Sequence, residues 1–180
     1  MKYVLVLAAV LGILAIGTSS SFATTGSDPI YMQYGTIQGD VTEVGHENWI
    51  ELDSFQFGVT KPVSLTTGQS GVPSFSEITI TKPMDKSSVG LMTQVLQGTP
   101  QTVTIDFVKT GATKPVTYVE YVLNNALVSG YSVSSGGDNP TESITLSFTK
   151  ITFKFTPQNP DGTLGTTQQI GWDLLQQKAI

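Results

Sequence analysis

The sequence contains no cysteine and no arginine, a single histidine, and charged residues at only 13% of its 180 positions. Each absence excludes something. Without cysteine there is no disulfide to staple the fold, so stability must come from burial and from backbone ladders. Without arginine, and with nine lysines against fourteen acidic residues, the chain lacks the bidentate fork and positive field that nucleic acid and anionic membranes require. Any Ser-His-acid arrangement or histidine metal site has to use His46, and a closed zinc site lacks its ligands. After residue 23 there is no second long hydrophobic run.

What is present begins with an export signal. Lys2 supplies a positive n-region, Val4 to Ile16 is an uncharged apolar run, and Ser21-Phe22-Ala23 places small residues where a signal peptidase reads them, so cleavage is expected after Ala23. The run is 13 residues long, against the roughly 20 helical residues that a bilayer core needs, which makes a retained span the weaker alternative. The processed chain, residues 24 to 180, is then secreted or periplasmic with no membrane anchor. Its 157 residues suit a single domain. With Lys2 gone, eight lysines face fourteen acidic residues, a net charge of minus six.

Short alternating runs bounded by Gly, Pro, Ser and Asn recur from residue 30 to residue 175 and predict an all-β fold. The expected strands are Ile30 to Ile37, Trp49 to Thr60, Phe75 to Lys82, Thr102 to Lys109, Val116 to Val133, Ser143 to Thr156 and Ile170 to Leu175. Between Ile144 and Phe155 the apolar positions change parity: Ile144, Leu146 and Phe148 are even, Ile151, Phe153 and Phe155 odd. A continuous ladder cannot do this without exposing half its core residues. Either a β-bulge near Thr149-Lys150 restores the direction and helps the sheet curl, or two strands meet at a bend. The expectation is a compact β-barrel of about seven to nine strands with bulges.

One segment departs from the pattern. Asp85-Lys86-Ser87-Ser88 offers capping side chains, Val89, Met92, Val95 and Leu96 form a stripe, and Gly98 then Pro100 mark a stop. A lateral helix over about residues 86 to 97 is expected, its stripe covering the barrel. Ser64 to Ser74 and Ser134 to Pro140 read as exposed, mobile loops.

Candidate chemistry is thin. His46, in Gly45-His46-Glu47-Asn48, reads as a solvated or turn-capping residue, with no G-x-S-x-G motif beside it. Glu43, Glu47, Glu51 and Asp53 could pair as acid and base or hold calcium, but Glu51 and Asp53 alternate with Ile50 and Leu52 as the solvent face of a strand. The D-x-D-x-D-G spacing is absent. Gly136-Gly137 lacks the phosphate-loop pattern, and Asn139-Pro140-Thr141 is closed to glycosylation by its proline. No catalytic, cofactor or metal residue is therefore assigned.

Several segments occur in a telling order: Gly35-Thr36-Ile37-Gln38-Gly39-Asp40, Trp49 to Val59, Thr79-Ile80-Thr81-Lys82-Pro83-Met84-Asp85-Lys86-Ser87-Ser88, Ser135 to Phe148, Ile151-Thr152-Phe153-Lys154-Phe155 and Gly171-Trp172-Asp173. In these the chain from Tyr31 to Trp172 resembles the haemolysin-coregulated protein (Hcp) family, the tube protein of bacterial type VI secretion. The resemblance implies a β-barrel with one lateral helix that assembles with itself into a hexameric ring. It also implies stacking of rings into a hollow tube expelled from the cell, small effectors in the lumen, and stacking contacts from the loop here at Ser64 to Ser74. A Thr- and Ser-rich, weakly charged surface suits such a ring.

Members of that family are assembled in the cytoplasm without an export signal, which sets residues 1 to 23 apart. A start at Met32 would strip Ile30 and Tyr31 from the first strand, so a misplaced start is not expected to explain residues 1 to 23. Three readings follow: a ring or tube component of type VI secretion, an exported Hcp-like binding or surface protein acting without the machine, and a hydrolase built on His46 and a nearby carboxylate. N-terminal sequencing of the chain recovered outside the cytoplasm is expected to begin at Thr24. A chain that retains Met1 there would contradict the export reading.

Overall fold

Period-two alternation decides which side chains meet. In the computed structural model, which describes residues 28–111 and 114–180, the alternation organises two antiparallel ladders around one core. The signal read at residues 1 to 23 lies outside the described residues. In the first ladder β1 (Ile30–Tyr34) lies between β2 (Ile50–Leu52) and β9 (Gln101–Lys109). The order then continues through β10 (Val116–Ser134), β12 (Lys150–Phe155), β13 (Gln168–Asp173) and β14 (Lys178–Ala179). The second ladder uses the other half of β10, which pairs with β11 (Thr141–Ser147). That strand pairs with β8 (Ile78–Pro83), and β8 with β3 (Ser54–Gln56).

Two segments serve both ladders. One is the 19-residue β10. The other is β2 and β3, separated only by Asp53, whose N–H donates to the Thr81 carbonyl at 2.8 Å. The all-β class with a single helix is as expected, and the sheets are not closed into one continuous ladder. They enclose a shared interior to which Met32, Ile105 and Leu123 come from the first ladder and Ile80, Ile144 and Leu146 from the second. The strands number fourteen among the described residues, ten of them in the main sheet. The excess over the expected seven to nine arises because Trp49 to Thr60, Phe75 to Lys82 and Ser143 to Thr156 each break into pieces, because Ser64 to Ser74 is not a plain loop, and because β14 follows β13.

That loop is part of an arm. β4 (Val59–Thr60) pairs with β7 (Ser74–Phe75), and β5 (Val63–Ser64) pairs with β6 (Gln69–Ser70). The arm is exposed, as expected, but hydrogen-bonded along its length. Phe57 and Phe75 pack its base against the core.

The parity change between Ile144 and Phe155 is resolved by two strands, β11 and β12, joined through Phe148-Thr149. Where they meet, both face β10 in one register, Leu127 opposite Ser147 and Asn124 opposite Lys150. The pairing survives because β10 changes face at the same level, from buried Leu123 to buried Ala126, with Asn125 at φ 50° between them. A bulge at Thr149-Lys150 is thus not needed. The irregularities lie on β10, between Thr117 and Val119 and between Leu123 and Ala126 against β9, and between Val128 and Gly130 against β11.

The helix α1 (Ser88–Gln97) is where expected, but its apolar stripe faces the other way. Ser88, Leu91 and Val95 turn inward, with Leu91 fully buried, while Val89, Met92 and Leu96 are 79%, 50% and 73% exposed. Ser87 makes no side-chain cap. Instead the Ser88 hydroxyl accepts the Asp85 N–H at 3.0 Å and lies 3.4 Å from Lys82 Nζ, which fixes the rotation of the first turn. Gly90 completes the fit, since a Cβ there would lie 3.2 Å from Ile37. Replacing Leu91 with Ala is expected to cost about 2–5 kcal/mol in urea unfolding. The same change at Leu96 is expected to stay within about 0.5 kcal/mol. Equal losses would mean that the helix is rotated.

Candidate functional site

The alternation that buries Ile78 and Ile80 also carries Lys82 inward. The same rule on β11 buries Glu142 with Ile144 and Leu146. The two charged residues are direct cross-strand partners and both are fully buried. Lys82 Nζ donates to Glu142 Oε2 at 2.6 Å and to the Pro83 carbonyl at 2.7 Å, and lies 2.8 Å from Asp85 Oδ1. Asp85 Oδ1 in turn accepts the Ser87 N–H at 2.9 Å and the Ser87 hydroxyl at 2.5 Å. Tyr131 closes the network by donating its hydroxyl to Glu142 Oε1. Burial and the adjoining Glu142 carboxylate push the Tyr131 phenol up to about 12, so it remains a donor. This network ties β8, β11 and β10 to the start of α1, and every charge in it has a partner.

His46 is not solvated. The segment 38–49 folds back over the outer face of β1 and β9, held by Gly39 N–H to Asn48 O at 2.8 Å and Asn48 N–H to Val41 O at 2.8 Å. The approach is so close that a Cβ on Gly39 would lie 2.2 Å from the Trp49 carbonyl oxygen. His46 is only 7% exposed, between the rings of Tyr31 at 5.1 Å and Trp49 at 4.7 Å. Its Nε2 is 2.8 Å from Asp106 Oδ2, and Thr117 donates to the same oxygen at 2.9 Å. The turn-cap reading therefore gives way to a buried pair between residues 60 positions apart.

The histidine cluster nevertheless does not have hydrolase geometry. A base needs its nucleophile on one ring nitrogen and its orienting acid on the other. Here Thr117 and Asp106 both meet Nε2, and Nδ1 and Asp106 Oδ1 are buried without partners. The arrangement braces segment 38–49 against β9 and β10. Burial pushes the Asp106 carboxyl above the usual carboxylate range, outweighing the hydrogen bonds from His46 and Thr117. Glu47, Glu51 and Asp53 are exposed and Glu43 is partly so. Among the described residues no three His, Asp or Glu side chains are placed to hold a metal ion.

Two apolar surfaces remain. A cleft of about 370 Å³ opens between the arm and the β12–β13 face, lined by Phe57, Val59, Phe75, Phe153, Ile170 and Trp172. The other is the outward stripe of α1. Neither was legible as a surface in the sequence, where the α1 stripe read as covering the barrel and the cleft residues lay within expected strands.

The sequence of residues 31–155 matches the family described as "Type VI secretion system effector, Hcp". The chain belongs to the Hcp family. Among solved structures, one titled as a type six secretion system protein is similar at 26% identity, covering 86% of this chain and 100% of its own, with a TM-score of 0.79. Hcp1 from Salmonella typhimurium is 22% identical over 84% of this chain and 98% of its own, with a TM-score of 0.71. Hcp1 from E. coli EAEC 042 is 20% identical over 82% and 99%, at 0.66. The latter two likenesses show the fold. No curated protein matches the chain. As an Hcp protein this chain is a structural, secreted tube protein of the type VI kind, and proteins of this family form rings and tubes with themselves. No helix among its described residues is long and apolar enough to cross a membrane.

The elevated Asp106 carboxyl gives a signed pH effect. A group whose folded value is raised adds stability below its unfolded value, near pH 4, and loses that contribution as pH rises through the raised value. Asp106→Asn removes this component. Its unfolding free energy relative to the native chain is expected to improve as pH rises above about 4. A constant difference across urea titrations at stepped pH would contradict the assignment.

Proposed function

We propose that this Hcp protein is exported through residues 1 to 23 and processed after Ala23, and that residues 24 to 180 fold as one domain. That domain assembles into a hexameric ring by a head-to-tail interface, with no catalytic, cofactor or metal site. The observation that carries the ring is the family match over residues 31–155, which spans β1 to β12, the arm and α1. The fully partnered Lys82, Glu142 and Asp85 network supports it, because each of its charges braces an element and none meets an open reacting position. Rings then stack by the arm, where Val63, Leu65 and Val72 are 61%, 94% and 52% exposed, and effectors or other secretion-system components are partners of the assembled tube.

A second reading keeps the fold and the ring but removes the machine: an exported Hcp-like binding or surface protein. The amino-terminal signal favours it, since a tube assembled in the cytoplasm has no use for one. Genes for a sheath and baseplate beside this one would favour the first reading. For the processed chain at micromolar concentration, light scattering is expected to give a mass near six times that of one subunit. A monomeric mass would overturn the ring.

A further inference from the structure

Lys82 and Glu142 are fully buried and face each other across β8 and β11. Their cluster is closed to any outside substrate, so the chemistry open to it lies between its own members. Inside it one primary amine meets two carboxylates, Glu142 Oε2 at 2.6 Å and Asp85 Oδ1 at 2.8 Å. We infer that this is a modification site, at which the Lys82 amine condenses with the Glu142 side chain into an isopeptide bond between β8 and β11, with Asp85 as the proton relay.

The surroundings of the two carboxylates separate their roles. Asp85 Oδ1 accepts from the Ser87 N–H and hydroxyl as well as from Lys82, and its side chain is 10% exposed. Several donors on one oxygen, at the wet edge of the cluster, suit a group that takes up a proton and hands it on. Glu142 has no exposure, and Lys82 holds one of its oxygens and Tyr131 the other. The Tyr131 hydroxyl on Oε1 is placed to stabilise the negative charge that attack on the carboxyl carbon would put there. With Nζ 2.6 Å from Oε2, ordinary carboxyl geometry sets Nζ about 3.4 Å from Cδ, within the range of a near-attack arrangement.

The step balances without any further reactant. One proton moves from Nζ to Oε2 along their hydrogen bond, leaving a free amine and a neutral acid and removing two charges from an apolar interior. The nitrogen lone pair attacks Cδ, the N–C bond forms, and the carbonyl electrons move onto Oε1 under the Tyr131 hydroxyl. Asp85 takes a proton from the nitrogen and delivers it to Oε2, the Cδ–Oε2 bond breaks, and water leaves past Asp85, which ends as it began. The one N–H left on the amide retains the Pro83 carbonyl, 2.7 Å from Nζ, as an acceptor, and burial keeps water from reversing the reaction. The bond ties together residues 60 positions apart in a sequence that has no cysteine to do so.

Intact mass spectrometry of the denatured full chain, its N-terminus fixed by sequencing, tests this directly. The native chain is expected to weigh one water less than its sequence, and fragmentation of its digest to show a branched peptide joining Lys82 to Glu142. Lys82→Met, which has no amine, is expected at full mass. Asp85→Asn, with native circular dichroism, is expected to stay mostly at full mass. A native chain at the full mass of its sequence overturns the proposal, as does a lost water that fragmentation places elsewhere, on Asp85 or at Asp161-Gly162. An Asp85→Asn chain as completely bonded as the native one overturns the relay. The native mass decides the matter even where a variant fails to fold, and it is the same for a ring and a monomer, so the ring reading stands or falls separately.

Discussion

The pairing of β10 along its whole length is the constraint on which the rest of the structure depends. Nineteen residues without a turn hold β9 and β12 with one half of the strand and β11 with the other, and α1 packs on it. A strand this long cannot keep one face towards a single interior unless it bends. The positive φ of Asn125 and the register shifts are where it does so. The change of face at Leu123 to Ala126 is matched between the neighbouring strands β11 and β12 at Phe148-Thr149, so backbone hydrogen bonding continues while the apolar side is exchanged.

The charged clusters build on that frame. Lys82 and Glu142 sit on the core face because the alternation of their strands puts them there, and their burial is tolerable because Asp85, Ser88, the Pro83 carbonyl and Tyr131 satisfy them. Taking one partner away would leave the other charge stranded in an apolar setting, which is why such networks specify one arrangement even where they add little net stability. The Lys82 cluster sets the rotation of α1 and so decides which helical side chains face outward. The histidine cluster does the equivalent for segment 38–49, closing the outer face of β1 and β9. A structural protein thereby uses residues that would suggest catalysis elsewhere to fix the surfaces it presents.

Much of this was legible in the sequence. Ile50 and Leu52 are buried and Glu51 and Asp53 exposed because a strand of period two leaves no other choice. The same rule, applied to Thr79-Ile80-Thr81-Lys82 and to Glu142-Ser143-Ile144, places both charges inside, and the parity of Lys82 and Glu142 was the available signal for their pairing. His46 was not legible, since its partner Asp106 lies 60 positions away and only the folding back of segment 38–49 brings them together. The helix was misread in orientation for a related reason: Val89, Met92 and Leu96 form the stronger apolar stripe, and a local polar contact at Ser88 outweighs it. Hydrophobicity locates a helix, but tertiary contacts decide its facing.

The account is tested most directly by native-state hydrogen exchange, resolved by residue. If β10 is the shared frame, its amides from Tyr121 to Val128 that bond to neighbouring strands exchange only through global unfolding, with a free energy equal to that from urea titration, while the arm around Ser64 to Ser70 exchanges orders of magnitude faster. Central β10 amides exchanging as readily as those of the arm would contradict it.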